Sequence, residues 1–254
     1  MQNNERNRPV GSDFSNFTSV GQHDSRWIDI SVPLRNAMVH WPGDPAVRIK
    51  RVLDVERGDS YTLSQISMGT HTGTHIDAPL HFIRHGTGID KMPINTAIGR
   101  ARVIEIQDRK SIKPKELKHH RIRRGERILL KTENSSMRRR QTNTFIEDFV
   151  FLSDKAALFL AERRVRVVGI DYLSVGGFKH DGSYVHEKLL GGNVWIIEGL
   201  DLSAVSPGSY DLICLPLRID QGDGAPARAI LRPAKTTRRQ NISSKNQAGE
   251  RTRK

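Results

Sequence analysis

Short apolar runs broken by Gly, Pro and Asp set the pattern of this chain from about residue 26 onward. Residues 27–32 alternate apolar and polar side chains, the period of a half-buried strand. Further strands are predicted at 47–55, 61–68, 101–106, 127–131, 165–170, 194–198 and 210–215, each short, apolar or β-branched, and bounded by turn formers. Helical spacing is rarer. Its clearest instance opens at Ser153 as N-cap and ends on Arg163 and Arg164, where the helix dipole favours cations. A second short helix is expected over 113–120, with Pro114 in its first turn. Strands outnumber helices, which favours a single compact mixed-sheet α/β domain over a doubly wound parallel sheet. Between the first strands, Pro42, Gly43, Asp44 and Pro45 require a tight turn, so Trp41 is expected to be displayed on a loop as a candidate substrate contact.

Composition refines the boundaries. Residues 1–25 are rich in Asn, Ser, Gly and charge and read as a disordered N-terminal extension, followed by a folded domain over 26–233. Residues 234–254 carry seven Lys and Arg against Glu250 alone and read as a basic disordered tail. That tail holds much of the formal net charge of +13. A second basic cluster, Lys118, Arg121, Arg123, Arg124, Arg127 and Lys131 with Arg138, Arg139 and Arg140 beyond it, is expected to be a solvated face and loop. No nucleic-acid-binding motif accompanies these charges, so nucleic acid is not the expected partner. The one cysteine, Cys214, sits in an apolar run and reads as a small core residue, consistent with a reducing, cytoplasmic setting. No stretch approaches the roughly 18 apolar residues of a membrane span, and none is expected.

Candidate chemistry is concentrated between residues 71 and 81. His71, His75, Asp77 and His81 all fall on odd numbers. On a helix Asp77 would point away from His71, whereas an extended or loosely bent chain puts all four on one side. Imidazole nitrogens with a carboxylate oxygen suit zinc, manganese or iron better than calcium or magnesium. His40, His85, His119, His120 and His180, each without such company, read as surface or core residues. Glu198 ends an apolar strand and needs a partner to offset its desolvation; a metal or an arginine would each serve. His186, shortly before that strand, could be a ligand or lie on a surface turn.

The pattern His-x-Gly-Thr-His-x-Asp-x-Pro-x-His, here His71, Gly73, Thr74, His75, Asp77, Pro79 and His81, resembles the cyclase family of metal-dependent hydrolases, in particular its bacterial kynurenine formamidase branch. The loop at Trp41, the run from Val168 to Ser174, and the pairing of His186 with Glu198 look like family features too. The resemblance implies the family's compact α/β fold, a homodimer, and two divalent metal ions per subunit, zinc ahead of manganese. His71, His75 and Asp77 would hold one ion; Asp77 would bridge to a second held by His186 and Glu198. It implies further that His81 is the general acid and base and that Trp41 lines the aryl pocket. The implied substrate is a small aromatic amide, N-formylkynurenine, cleaved to kynurenine and formate by a water that the metals activate. Related enzymes open isatin or hydrolyse other cyclic or acyl amides, which is the alternative within the family. A basic nucleic-acid-binding protein with a structural metal is the alternative outside it.

Overall fold

Continuous apolar runs belong in strands buried on both faces, and the runs at 128–130, 167–170 and 194–197 lie side by side. The computed structural model describes residues 27–136 and 144–234. The extension at 1–25, most of the tail from 234 and Arg138 to Arg140 therefore lie outside the described residues.

In chain order the elements are β1 (Ile28–Asp29), β2 (Arg48–Leu53), β3 (Leu63–Ser67), β4 (His75–Asp77), β5 (Ile98–Glu105), β6 (Ser111–Ile112), α1 (Pro114–His119), β7 (Arg127–Lys131), β8 (Phe151–Leu152), α2 (Asp154–Glu162), β9 (Val167–Ile170), α3 (Gly182–Gly191), β10 (Trp195–Glu198), β11 (Gly208–Pro216) and β12 (Gly224–Pro233). One large mixed sheet runs in the order β1-β12-β11-β5-β7-β9-β10-β4, and β4 pairs back onto β12, so the sheet closes into a barrel-like ring. β5, β7, β9 and β10 are parallel neighbours, and the pairings involving β4, β11 and β12 are antiparallel. Parallel neighbours require crossovers; α1, α2 and α3 lie in those connections.

Strand alternation then sorts the side chains. Leu129, Val167, Trp195, Ile197, Leu212, Cys214 and Leu231 join Ile76 in the core enclosed by the ring. Ile128, Leu130, Val168, Ile170 and Ile196 face the other way, onto Leu117, Leu160, Val185 and Leu189 of the helices. Gly169 lacks a side chain because a Cβ there would meet Leu129 Cδ2 at 2.5 Å and Leu200 Cδ1 at 2.8 Å. The Ser153 cap forms as expected, its hydroxyl accepting from the Ala156 amide at 3.3 Å.

Several expectations change. The strand expected over 27–32 shrinks to β1, because the Ser31 backbone bridges Leu200 while its hydroxyl takes over the contact with Ala229 of β12. Arg127 is not on a solvated face: it is buried, and its guanidinium donates to the carbonyls of Thr96, at 2.6 Å, Arg100, at 3.2 Å, and Asn95. Lys118, Arg121, Arg123 and Arg124 are exposed, as a solvated face requires. β12 and α3 were not anticipated. Pro226 and Pro233 disguise the first as loop, and glycines at both ends disguise the second.

Candidate metal centre

β4 is the hub. Ile76 points into the ring, so His75 and Asp77 share the opposite face. Pairing with β10 sets Glu198 across from His75, and pairing with β12 sets Gly224 across from Asp77. His186 descends from α3 and is buried with them.

The extended-chain expectation for all four motif residues holds only from His75 to Asp77. His71 precedes a turn at Gly73, whose φ is +72°, and His81 ends a short 3-10 turn that Pro79 opens. The turn is locked to β10. Thr74 Oγ1 donates to the Gly199 carbonyl at 2.6 Å, and a Cβ on Gly199 would come within 2.1 Å of the Gly73 oxygen. Two turns, not strand parity, bring His71 and His81 together, with their rings stacked at 3.7 Å.

Two groups of three side chains form around Asp77, one with His71 and His75, the other with His186 and Glu198, and within each the donor atoms lie within 4.8 Å of one another. Asp77 Oδ1 is 2.9 Å from His71 Nδ1 and 3.2 Å from His75 Nε2, while Oδ2 faces His186 Nε2 at 3.7 Å. Glu198 reaches both groups, with Oε2 3.4 Å from His75 and Oε1 3.2 Å from His186; Oε1 also accepts from the Val175 amide at 2.7 Å.

Proton placement decides what the cluster wants. A carbonyl can only accept, so His75 Nδ1 must donate to Gly73 O at 3.0 Å, and His186 Nδ1 to Gly182 O at 2.7 Å. In the neutral rings both Nε2 atoms are then bare lone pairs aimed at carboxylate oxygens. Such an arrangement repels unless a cation lies between. His75 Nε2 and Asp77 Oδ2 are buried with no hydrogen-bond partner among the described residues, a costly state for polar atoms. The donor set therefore fits a divalent metal.

The protonation equilibria carry the same charge imbalance. Burial opposes charge on His75, but Asp77 and Glu198 outweigh it and raise its pKa from 6.5 to about 10. His71 and His186 are raised against the same desolvation by Asp77 and Glu198 respectively. Despite burial, the imidazoles hold the Asp77 carboxyl well below the usual range and lower that of Glu198. His81 differs: burial lowers its pKa, leaving it neutral and able to accept a proton.

Trp41 is on a loop, its carbonyl accepting from the Asp44 amide at 3.0 Å, but it is half-buried and not displayed. Its ring packs edge-on against Phe145, Phe149 and Phe178 at 5.3, 6.3 and 5.4 Å, and no ring contact among the described residues joins it to the histidines. Two residues at the cluster escaped the sequence reading. Phe82 stacks on His186 at 4.4 Å and meets His81 edge-on at 4.3 Å; its place directly after the motif was the available signal. Asp223 Oδ2 lies 3.0 Å from His71 Nε2. An Asp between two glycines looks like an ordinary turn, and only the β12–β4 pairing carries it to the site.

The model of the cyclase family matches residues 28–176. The chain belongs to the cyclase family. Kynurenine formamidases of Bacillus cytotoxicus and Bacillus cereus are 36% and 35% identical to it over 209 residues, covering 82% of this chain and 98% of each relative. A solved potential metal-dependent hydrolase with cyclase activity matches at 32% identity and a TM-score of 0.72, over 83% of this chain and 98% of that one. Isatin hydrolase A from Labrenzia aggregata superposes with a TM-score of 0.70 at 24% identity, over 82% and 93% of the two chains, a likeness of fold alone. Within this cyclase family of metal-dependent hydrolases, the mixed α/β fold and the hydrolase class expected for the chain both hold. Among the described residues no helix is long and apolar enough to cross a membrane.

Proposed function

We propose that this cyclase-family chain hydrolyses N-formylkynurenine to kynurenine and formate at a two-metal centre. His71, His75 and Asp77 would hold one ion, and His186 and Glu198, with Asp77 shared, would hold the second. The observation that carries the centre is the pair of partnerless buried atoms, His75 Nε2 and Asp77 Oδ2, among three imidazoles and two carboxylates. The substrate class is supported by the formamidase relatives, which the chain matches over nearly their whole length. Zinc is the preferred ion, with manganese compatible with the same donors.

When bound, the ions supply Lewis acidity that activates a water and polarises the formyl carbonyl. The chain contributes the proton traffic. His81, held against the His71 ring and kept neutral by burial, takes a proton from the attacking water and delivers it to the anilide nitrogen as the C–N bond breaks. Phe82 fixes the planes of His81 and His186. Trp41, with Phe145 and Phe178, forms an aromatic wall suited to the aryl group.

A homodimer is supported by the β2–β3 ribbon, where Val52, Leu63 and Ile66 are 48, 46 and 56% exposed beside Val55 and Tyr61. The lone buried thiol agrees with a cytoplasmic setting.

Purified protein should release formate from N-formylkynurenine, lose that activity on chelation and regain it with zinc or manganese. Opening of isatin alone would move the protein to the other activity of its fold neighbours. His81→Ala should keep its metal while losing about 100-fold to 10,000-fold in kcat; full activity would remove His81 from the mechanism.

A further inference from the structure

The three imidazoles of the cluster share one construction. Each turns one ring nitrogen toward the carboxylates at the centre and has the other held by an acceptor. For His75 that acceptor is the carbonyl of Gly73, at 3.0 Å, and for His186 the carbonyl of Gly182, at 2.7 Å. His71 has no such carbonyl: its Nδ1 faces Asp77 at 2.9 Å, and its Nε2 meets Asp223 Oδ2 at 3.0 Å. Asp223 is itself held. Thr70 Oγ1 donates to Oδ1 at 3.2 Å, and the Asp223 carbonyl accepts from the Ala78 amide at 2.9 Å. The slot around the ring is tight, since a Cβ on Gly224 would lie 2.6 Å from His71 Cε1, and His81 covers one ring face at 3.7 Å.

We propose that Asp223 is a positioning residue: its carboxylate accepts the His71 Nε2 proton and so presents the Nδ1 lone pair to the metal. The inference rests on the metal-centre reading above and adds to it the nitrogen through which His71 binds. A hydrogen-bonded carboxylate on the far nitrogen fixes the tautomer, aims the ring and raises its basicity as a ligand; its loss typically weakens metal binding about 10- to 100-fold.

Metal affinity, measured by competition with a chromophoric chelator on the whole chain, tests this independently of turnover. Asp223→Ala should bind zinc about 10- to 100-fold more weakly at unchanged stoichiometry. Asp223→Asn, whose amide oxygen can still accept from Nε2, should recover most of that loss. Thr70→Val, which frees the carboxylate from its anchor, should fall between Asp223→Asn and Asp223→Ala. Wild-type affinity in Asp223→Ala overturns the proposal and leaves the metal centre standing. Asparagine as damaging as alanine, with one ion fewer bound, makes Asp223 a direct ligand and also overturns it. A wild-type protein that takes up no metal removes the reading on which it rests.

Discussion

His75 shows how far a single side chain reports on its surroundings. A buried imidazole ordinarily loses its proton, yet the two carboxylates facing this one raise its pKa to about 10. At neutral pH the metal-free protein therefore stores protons in the cluster that a metal must displace. Zinc binding should release protons, seen in calorimetry as a binding enthalpy that changes with the ionisation enthalpy of the buffer; no buffer dependence would contradict the assignment. Because the folded pKa lies above the ordinary imidazole value of 6.5, the stability from this pairing is full below 6.5 and is lost as pH rises toward about 10. The metal-free protein should lose thermal stability across that range more steeply than the loaded protein. Cys214 is the inert counterpart, its thiol pushed up to about 12 by complete burial. It should resist a thiol reagent in the native protein and react only on unfolding.

At the scale of elements, Arg127 ties the chain before β5 to the first residue of β7. Its guanidinium donates to the carbonyls of Asn95, Thr96 and Arg100, which are distant from it in sequence; Arg166 shares the Asn95 carbonyl at 3.3 Å. Arg127→Met should cost about 2 kcal/mol in chemical denaturation, because it strips the buried Thr96 carbonyl of a charged donor; a loss within experimental error would mean that water replaces the guanidinium. Most strands were legible from the pattern because two-sided burial writes itself into the sequence as an unbroken apolar run, as at 127–131 and 194–198. β4 was expected only as extended chain and α3 not at all, for related reasons. The three residues of β4 are mostly ligand-type side chains, chosen by chemistry and not by strand preference. α3 places His186 on its buried face, and a polar residue there breaks the apolar stripe by which a helix is recognised.

For the whole molecule, the β2–β3 ribbon stands apart from the ring as its own two-stranded sheet. A two-stranded ribbon is marginal alone, and its exposed Val52, Leu63 and Ile66 call for a cover. If a second copy supplies it, Ile66→Glu should shift the protein from dimer to monomer in light scattering; a wild-type monomer would end that reading. The sequence by itself marked His71, His75, Asp77 and His81 as candidate ligands, because they lie within eleven residues and their chemistry is local, while the role of His81 as acid and base came from the family resemblance. It also determined the α/β class, through strand runs interleaved with one clearly capped helix. Only the tertiary structure decided how the donors meet. Closure of the ring sets β4 between β10 and β12, placing Glu198 across from His75 and Asp223 behind His71. Those partners are separated by more than a hundred residues, and pairing over such a distance depends on the fit of whole faces, which leaves no mark on any local stretch of chain.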